Sequence, residues 1–344
     1  ALYCLVLPAR SWGMTDALFL TSDEVDDLAE PADYVAAVRD GYREIGEGAP
    51  AEPRTKLATD DPPGMLTTYA AVLPETGAMG GYTYAAGFGA GDAWFMTPVF
   101  DADSGEPLAV VDGASMNPFK TGAAGAVAVD ALAREDATEV AVIGSGAQAR
   151  GQLRTTATVR RFEAVRVFSP TPEHRESFAA EFDDRLDADV RAAASASEAV
   201  AGADVVITAT TASDPVLDDV DVEPGTHVTA MGQYDPDKNE LPPELVGRAT
   251  YVPDLAARAP RDAGSFIAAR EAGLVDDPVA VELGDVVAGT HPGRTSAEEV
   301  TVFDSGGTGI ETVAAAHMLY ERAGEAGRGT TIAFAPASEA LTGR

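Results

Sequence analysis

The chain has 344 residues, of which 45% are hydrophobic and 23% charged, a composition that favours a folded protein with an apolar core. Its 24 basic and 56 acidic side chains give a formal net charge of −32, which argues against nucleic acid or an anionic membrane as a partner because both are negatively charged. No stretch approaches the roughly 18–20 unbroken apolar residues of a membrane-spanning helix, and a single cysteine, Cys4, excludes an intramolecular disulfide and a cysteine-based zinc site.

The acidic residues are spread along the whole chain, whereas the lysines are only three: Lys56, Lys120 and Lys238. A surface of this kind repels itself in dilute buffer and is screened at high salt. The composition resembles that of haloarchaeal proteins and predicts a loss of stability below molar salt. The alternative is an acidic protein of ordinary salt tolerance.

Residues 1–13 contain a short apolar run that no basic residue precedes, so they do not match a secretory signal. The segment that begins at Met14, MTDALFLTSDEVDDL, resembles the start of a cytoplasmic chain. We therefore expect a cytoplasmic protein in which residues 1–13 are upstream translation or a weakly ordered extension.

The first part of the chain predicts helices beside short strands. Ser22 is a candidate N-cap, and apolar residues follow it at helical spacing: Val25, Leu28, Tyr34, Val35 and Val38. Residues 55–111 are rich in Gly, Pro, Thr and aromatic side chains. β-favouring runs occupy residues 65–73, 82–84, 93–100 and 107–111, with a hairpin turn at 103–106. This half therefore predicts a mostly antiparallel sheet with flanking helices.

Beyond Lys120, strands and helices alternate as they do in βαβ units. Helices are predicted at residues 121–133, 148–159, 172–182 and 197–200, and short apolar strands at 139–143, 165–168, 190–193, 205–208, 227–231 and 251–252. Such strands suit a parallel sheet that is buried on both faces. The predicted fold class is α/β, with a Rossmann-type doubly wound parallel sheet and a second, α+β domain. A last helix at residues 310–323 is expected to return to the first domain.

The sharpest local motif is an apolar strand that runs into Gly-x-Gly-x-x-Ala at the start of a helix. Gly144 allows the tight turn, Gly146 allows the backbone to approach a pyrophosphate, and Ala149 allows close packing of helix on strand. The helix N-terminus stabilises phosphate charge. The motif predicts a dinucleotide bound at Gly144, Ser145, Gly146, Ala147 and Gln148. The alternative is a glycine-rich turn without a ligand.

The end of the second strand of this unit indicates which dinucleotide is bound. NAD-preferring folds carry an acidic residue there, about 20 residues after the motif. This chain has Phe168-Ser169-Pro170-Thr171, with His174 and Arg175 shortly after. Hydroxyl groups beside basic groups suit a 2′-phosphate. We therefore predict contacts from Ser169, Thr171 and Arg175 and favour NADP over NAD; the alternative is a solvated His–Arg pair on a surface helix.

Further segments, taken together with this motif, are specific enough to indicate a family. From about Leu18 to Gly329 the chain resembles the ornithine cyclodeaminase/mu-crystallin family. The segments that carry the resemblance are Pro53-Arg54-Thr55, Asp112-Gly113, residues 120–124 (KTGAA), 144–150 (GSGAQAR), 201–206 (AGADVV), 224–228 (PGTHV), 282–284 (ELG), 292–294 (PGR) and 302–307 (VFDSGG).

The resemblance implies a homodimer whose N-terminal sheets combine, and a Rossmann domain inserted before a final helix. It divides the chain into a substrate-binding and dimerisation domain, residues 14–120 and 310–344, and a dinucleotide-binding domain, residues 121–309. Further cofactor contacts are expected at Thr210, Met231, Gly232, Ser305 and Gly306. The family includes cyclodeaminases, alanine dehydrogenase, cyclic-imine and ketimine reductases and mu-crystallin, so it implies an NAD(P) cofactor more firmly than one reaction.

The family's substrates are amino or imino acids, and the resemblance implies cations that bind their carboxylate. Arg54 matches the family's first arginine and can hold a carboxylate with two hydrogen bonds. Lys120 stands where many members have arginine; it keeps the charge but loses the fork geometry. We predict that Arg54, Lys56 and Lys120 bind a small carboxylate-bearing substrate. The alternative is that Arg54 and Lys120 are surface cations.

Two catalytic positions depart from the family pattern. Tyr82 replaces the lysine that usually follows a Gly-Gly or Leu-Gly element; it can donate one hydrogen bond but is uncharged near neutrality. Lys56 shares a strand face with Arg54 and is the candidate substitute. Cyclodeaminases place an aspartate two residues after a glycine, where this chain has Tyr234, with Asp235 one residue later. We predict Tyr82 and Asp235 as catalytic residues, although a turn before proline also explains Asp235.

Three functions agree with these residues. The first is an NAD(P)-dependent reductase of a small imino or keto acid. The second is ornithine cyclodeaminase, an ammonia-lyase that converts ornithine to proline with recycled NAD; the displaced aspartate and the missing lysine argue against it. The third is a non-catalytic NAD(P)-binding dimer. No metal site is predicted, because the four histidines have no ligand-like spacing.

Overall fold

The computed structural model describes residues 14–89, 92–276 and 278–338. The expected extension, residues 1–13, lies outside the described residues. Within them, no helix combines the length and the apolar character that crossing a membrane requires.

The secondary-structure elements are numbered in chain order. The strands are β1 (Thr15–Leu20), β2 (Ala51–Asp60), β3 (Pro63–Leu73), β4 (Ala78–Gly87), β5 (Ala93–Asp101), β6 (Pro107–Asp112), β7 (Glu139–Ile143), β8 (Ala164–Phe168), β9 (Asp189–Ala192), β10 (Val205–Thr208), β11 (His227–Ala230), β12 (Thr250–Pro253), β13 (Thr301–Asp304) and β14 (Thr330–Phe334). The helices are α1 (Ser22–Val25), α2 (Pro31–Gly46), α3 (Asn117–Leu132), α4 (Ala147–Thr156), α5 (Pro172–Asp183), α6 (Ala196–Val200), α7 (Pro243–Arg248), α8 (Ala259–Asp262), α9 (Gly264–Glu271), α10 (Leu283–Val287) and α11 (Gly309–Ala326).

One sheet is formed by the strands at the two ends of the chain, in the order β14-β1-β6-β5-β4-β3-β2. Neighbouring strands in it are antiparallel except β1 and β6, which run parallel. One face is buried, with Tyr69, Ala71 and Leu73 of β3 in the core, and the other face is largely open. The prediction of a mostly antiparallel sheet is therefore confirmed.

The second sheet is parallel throughout, in the order β12-β13-β11-β10-β7-β8-β9. Its central strands are apolar on both faces, as Val140, Ala141 and Val142 of β7 show, because helices cover both sides. The predicted Rossmann-type sheet is confirmed. The strand β13 was not predicted, although its Val302-Phe303-Asp304 lies beside β11 in the sheet interior.

The N-terminal helix begins differently from the prediction. The N-cap is Thr21, not Ser22, and the backbone N–H of Thr21 donates to Glu24 Oε2 at 2.9 Å. The helix stops after one turn, and α2 starts again at Pro31. Proline suits the first position of a helix but not its interior, since it lacks the N–H that an interior position needs. The predicted single apolar face is therefore divided between two helices.

The last helix returns to the first sheet, as predicted. Ile310, Val313 and Leu319 of α11 share one apolar core with Val38 of α2 and Leu73 of β3. The strand β14 follows and pairs with β1. Helix α3 leads from the first sheet to the second, so position 120, the predicted domain boundary, lies inside a helix. The division into two domains stays a prediction.

Candidate functional site

A nucleotide-sized cavity of about 640 Å³ lies at the carboxyl ends of β7, β8 and β10, where ligands bind in open parallel sheets. Six of the residues predicted to contact the cofactor line it: Gly144, Ser145, Gly146, Ser169, Thr171 and Thr210. Its other lining residues are Ile143, Phe168, Pro170, His174, Ala209, Thr211, Ala212 and Val216. The lining contains no carboxylate. We call this space the nucleotide cavity.

The glycines of the loop between β7 and α4 have different tasks. Gly144 has a φ of +118°, and a Cβ at this position would lie 2.2 Å from the carbonyl oxygen of Ala209, so the turn requires glycine. Gly146 is the N-cap of α4, and a Cβ there would meet no atom within 4 Å. The space beside Gly146 is therefore open and adjoins the N-terminus of a helix, which suits a pyrophosphate.

Hydroxyl groups lie where the 2′ position of an adenosine ribose is expected. Ser145 Oγ donates to Ser169 Oγ at 3.0 Å. Arg175 does not line the cavity; its Nη1 donates to the carbonyl oxygen of Ser169 at 2.8 Å, and its guanidinium lies 5.5 Å from the centre of the Phe168 ring. Arg175 therefore holds the loop that follows β8.

A second cavity, of about 300 Å³, lies between the two sheets on the other side of the start of α4. Its walls come from β2 to β5, from α3 and from the loops after β11 and β13. The lining residues are Arg54, Met65, Tyr69, Tyr82, Tyr84, Ala86, Ala93, Phe95, Asn117, Lys120, Thr121, Gln148, Met231, Tyr234, Ser305, Gly306 and Gly307. Apart from Arg54 and Lys120, this lining is uncharged. We call it the substrate cavity.

Arg54 is fixed at the wall of the substrate cavity. Its side chain is only 8% exposed, and its Nη2 donates to the carbonyl oxygens of Gly306 and Gly307. Its Nε lies 3.1 Å from Asp262 Oδ2. The guanidinium also lies 5.6 Å from the centre of the Tyr234 ring. These contacts engage Nε and Nη2 and hold the guanidinium in one orientation, so a carboxylate in the cavity would meet Nη1 first.

Lys120 is buried with a single carboxylate. Its Nζ lies 3.5 Å from Glu311 Oε1, and each side chain is 1% exposed. Glu311 is held by Thr308, whose backbone N–H and Oγ donate to it at 2.7 and 2.6 Å. Burial lowers the pKa of Lys120, although the charge and the hydrogen bond of Glu311 act in the opposite direction. Lys120 is therefore a cavity ammonium that loses its proton more readily than an exposed lysine.

Tyr82 forms part of the aromatic wall. Its ring stacks on Phe95 with a centroid distance of 5.1 Å and an interplanar angle of 9°, and Lys120 Nζ lies 4.9 Å from its centre. Gly113 makes room for it, because a Cβ there would lie 2.7 Å from Tyr82 Cε2. The hydroxyl is buried and has no hydrogen-bond partner among the described residues. Burial raises the pKa of Tyr82, so the hydroxyl stays protonated.

Lys56 and Asp235 lie at the rim rather than in the substrate cavity. Lys56 Nζ contacts Asp235 Oδ2 at 2.5 Å, and the two side chains are 43% and 24% exposed. Burial raises the pKa of Asp235, but the hydrogen bond and the charge of Lys56, together with the backbone N–H of Asp237, outweigh it and hold the pKa below its usual range. Asp235 is therefore ionised and paired with Lys56. Its neighbour Tyr234, and not Asp235, lines the substrate cavity.

The structure places the remaining predicted cofactor residues at several locations. Gln148, Met231, Ser305 and Gly306 line the substrate cavity. Ala147 opens helix α4 and lines neither cavity. Gly232 also lines neither; its N–H donates to Glu240 Oε2 at 2.6 Å.

A buried ion cluster behind Arg54 was not predicted. Arg258 is fully buried and pairs with Asp254 and Asp262, each at 2.7 Å, and with Asp304. Asp254 Oδ2 also accepts the backbone N–H groups of Gly306 and Gly307 at 2.7 and 3.0 Å. The cluster thus supports the turn to which Arg54 binds. The spacing of Asp254, Arg258 and Asp262, four residues apart each time, was the available signal.

Glu240 is a second residue that sequence reasoning missed. It is fully buried and accepts hydrogen bonds from Thr208 Oγ at 2.8 Å, from the Thr210 N–H at 2.7 Å and from the Gly232 N–H. It therefore joins the loops after β10 and β11, which border the two cavities. No feature of its local sequence distinguishes it from the many surface carboxylates of this chain.

Among the described residues, no group of three or more His, Cys, Asp or Glu side chains is arranged to hold a metal ion. The donors that are present instead fit a dinucleotide, since the open space at Gly146 and the start of α4 adjoin a cavity of sufficient size.

The chain is similar to proteins of known activity and structure. Delta(1)-pyrroline-2-carboxylate reductase of Bacillus cereus is 34% identical over 236 residues, which are 68% of this chain and 72% of that protein. The solved structure of Thermococcus litoralis delta(1)-pyrroline-2-carboxylate reductase in complex with NADH and L-proline matches with a TM-score of 0.86 and 30% identity, over 92% of this chain and 100% of that one. An archaeal alanine dehydrogenase dimer with bound NAD matches with a TM-score of 0.85 and 30% identity, over 92% and 99%.

These relatives are reductases and dehydrogenases, in agreement with the predicted oxidoreductase. The sequence model of the ornithine cyclodeaminase/mu-crystallin family matches residues 15–327, nearly the whole of the described chain. The chain therefore belongs to the ornithine cyclodeaminase/mu-crystallin family.

Proposed function

We propose that the protein is an NAD(P)-dependent oxidoreductase that reduces a small imino or keto acid. The observation that carries this proposal is the substrate cavity, in which Arg54 and Lys120 stand among aromatic side chains beside the start of the dinucleotide-binding helix. Gln148 of that helix lines this cavity, whereas Gly146 lines the nucleotide cavity. A dinucleotide bound across the loop therefore reaches both spaces.

The residues present fit a nicotinamide dinucleotide, which supplies hydride when bound. Gly144, Ser145 and Gly146 would hold its pyrophosphate, and Ser169 and Thr171 its adenosine ribose. The nucleotide cavity has hydroxyl groups and no carboxylate at that end, which supports NADP over NAD. Ser169→Asp should shift the ratio of affinities from NADPH towards NADH; an unchanged ratio would contradict this preference.

Arg54 would bind the carboxylate of the substrate, and Lys120 would add a second positive charge. A volume of about 300 Å³ admits a small molecule, and the stacked rings of Tyr82 and Phe95 form one apolar side of the cavity. Cyclic imino acids such as pyrroline-2-carboxylate combine a planar ring, a carboxylate and a C=N bond, so they are the first substrates to test. Tyr82 and Asp235 remain predicted catalytic residues, although Lys56 already engages Asp235.

The deciding assay offers pyrroline-2-carboxylate with NADPH or NADH in high salt, and separately ornithine with NAD. Net oxidation of the reduced cofactor with the imine is the expected result. Ammonia and proline formed from ornithine without net cofactor change would show a cyclodeaminase. Tight nucleotide binding with no turnover in either assay would show a non-catalytic binding protein.

Arg54→Ala tests the substrate cavity directly. A hydrogen bond to a charged group is worth about 1.5–3 kcal/mol, so kcat/KM for the imine should fall roughly 10- to 150-fold. Arg161→Ala is a matched control, because the Arg161 side chain is 84% exposed. Equal kcat/KM values for the two variants would remove Arg54 from substrate binding.

We also propose a homodimer formed through the open face of the first sheet. Apolar side chains on that face are 36–64% exposed, and Leu57, Leu66 and Trp94 lie in one row across the strands. The similar alanine dehydrogenase is a dimer. Light scattering in high salt should therefore give a dimer, which Trp94→Glu converts to a monomer and Val220→Glu, at an exposed site in the turn before β11, does not. A folded wild-type monomer would contradict the proposal.

The acidic composition supports a salt requirement. We propose that molar potassium chloride raises the melting temperature, because it screens the repulsion between surface carboxylates. Equal melting temperatures in low and high salt would refute it.

A further inference from the structure

Among the residues that line the substrate cavity, Lys120 supplies the one ammonium, a group that carries a proton near neutrality and can release it. Arginine does not deprotonate in proteins, so Arg54 can bind a substrate but cannot supply a proton. Burial raises the pKa of Tyr69 and Tyr82 and makes both hydroxyls weaker acids than an exposed tyrosine. Asp235 lies at the rim and is ionised. Lys120 is buried in the same lining, and burial shifts its pKa towards neutrality.

The geometry around Lys120 suits proton donation. Lys120 lines the cavity, and its Nζ lies over the Tyr82 ring, 4.9 Å from the ring centre. The carboxylate of Glu311 holds it from the opposite element, α11, at 3.5 Å. Thr308 fixes that carboxylate with two hydrogen bonds, so Glu311 cannot turn away. Lys120 Nζ also donates to Thr121 Oγ1 at 3.4 Å, which leaves the third N–H bond of the ammonium for a ligand in the cavity.

We propose that Lys120 is the proton donor in imine reduction, with Glu311 as the residue that positions it. This inference rests on the proposed function. A hydride forms the new C–H bond at the imine carbon, and the π electron pair of the C=N bond moves to nitrogen. The nitrogen takes the proton that leaves Lys120 Nζ. The products are a secondary amine, the oxidised dinucleotide and a neutral lysine, which regains a proton from solvent.

This role predicts how the rate depends on pH. Lys120 must be protonated, so kcat should fall as the pH rises through its pKa. The charged groups that act on it are Glu311 and Asp254, which favour the ammonium, and Arg54, which with burial disfavours it. The aromatic face of Tyr82 completes the surroundings. The alkaline fall in kcat should therefore lie below 10.5, the ordinary value for lysine.

The scarcity of lysine makes a direct measurement practical, since the sequence contains only Lys56, Lys120 and Lys238. Protein labelled with ¹³C at the lysine ε-carbon should give signals that Lys→Arg variants assign one by one. We expect the Lys120 signal to titrate below pH 10.5 and to shift further down in Glu311→Gln, which removes the favourable charge. A Lys120 signal that titrates at or above the ordinary lysine value would overturn the proposal.

Lys120→Arg separates proton donation from charge. The guanidinium keeps the positive charge and the ion pair with Glu311 but does not release a proton. We expect kcat for the imine to fall by about 100-fold or more, the range for a lost general acid, with little change in KM and with no alkaline fall. NAD(P)H fluorescence shows that the variant still binds cofactor. Lys238→Arg, outside the cavity, is the matched control and should keep the wild-type profile.

Three other outcomes would each contradict one of the proposals. An unchanged kcat in Lys120→Arg would make Lys120 a charge only and overturn the proposal. Loss of the alkaline fall in Tyr82→Phe would assign the proton to Tyr82 and also overturn it. A wild-type protein that binds the dinucleotide but reduces no imine would defeat the proposed function itself, and this failure is distinguishable because the wild type is then inactive.

Discussion

The nucleotide cavity and the substrate cavity meet at the start of α4 but are built from different groups. Backbone, small side chains and hydroxyls line the nucleotide cavity, and no Asp, Glu, Lys or Arg is among its lining residues. The substrate cavity presents Arg54 and Lys120, with Glu311 and the Arg258 cluster buried behind them. A phosphate can be bound by backbone N–H groups and a helix N-terminus, whereas recognition of a small acid depends on particular side chains.

This difference separates binding of the dinucleotide from recognition of the substrate. The nucleotide cavity depends on where glycine permits close approach of the backbone. The substrate cavity depends on charges that are costly to bury unless each has a partner. Side chains that only enter the open space of the nucleotide cavity should therefore alter binding with little loss of stability, and changes behind the substrate cavity should alter stability first.

Arg258→Met should have the largest effect. It leaves Asp254 and Asp304 buried without their cation and Asp262 with Arg54 alone, and breaking a buried ion pair costs about 3–5 kcal/mol. The free energy of unfolding, measured with urea in high salt, should fall by this amount. Arg161→Met is the control, at an exposed position. A loss no larger than that of the control would show that the cluster does not support the cavity.

Gly146→Val tests the nucleotide cavity. A side chain at Gly146 meets no protein atom within 4 Å but enters the space proposed for the pyrophosphate. NAD(P)H affinity should fall at least about 100-fold, or roughly 2.7 kcal/mol, while the free energy of unfolding changes little. Gly144→Ala should in addition lower the free energy of unfolding, because a Cβ there would lie 2.2 Å from the carbonyl oxygen of Ala209. Unchanged cofactor affinity in Gly146→Val would contradict the placement of the dinucleotide.

The same difference explains how much could be predicted from the sequence. The strand β7 and its glycine loop were predicted residue by residue, because an apolar run, glycine spacing and a helix are contiguous in the chain. The strands β1, β2, β13 and β14 were missed. The strand β14 pairs with β1 from the opposite end of the described chain, which no local pattern can show.

The residues of the substrate cavity could likewise be predicted only in part. The resemblance anticipated that Arg54 and Lys120 act together, and they do line one cavity. Local sequence could not show that Lys56 would engage Asp235, since these residues are 179 positions apart. Nor could it show that Glu311 would be the carboxylate beside Lys120 in a chain with 56 acidic residues.

His227 gives the nucleotide-binding half a pH dependence of its own. It is fully buried between Thr301 Oγ and Thr229 Oγ, at 2.9 and 3.1 Å, and burial, followed by the charges of Arg294 and Arg160, lowers its pKa to about 3. Between pH 6.5 and about 3 the unfolded chain binds a proton that the folded protein does not, so His227 makes stability fall as the pH falls.

His227→Gln should remove this contribution, which is up to about 1.4 kcal/mol per pH unit. Urea unfolding of wild type and variant between about pH 7 and 4 measures the difference in slope, and the exposed His174→Gln is the control. Parallel curves for His227→Gln and wild type would show that the histidine is not buried in its neutral form.

The smallest effect is expected for the ion pair between Lys56 and Asp235 at the rim of the substrate cavity. Lys56 and Asp235 are 43% and 24% exposed, and exposed pairs contribute about 0.2–1 kcal/mol, less when salt screens them. A double-mutant cycle with Lys56→Gln and Asp235→Asn should give a coupling energy in this range in dilute buffer that disappears in molar potassium chloride. A larger coupling that survives high salt would mean that the rim closes over the pair and excludes water. If Lys56→Gln lowers turnover while the free energy of unfolding changes little, the result would instead support the predicted role of Lys56 in substrate binding. The substrate cavity would then extend as far as Lys56.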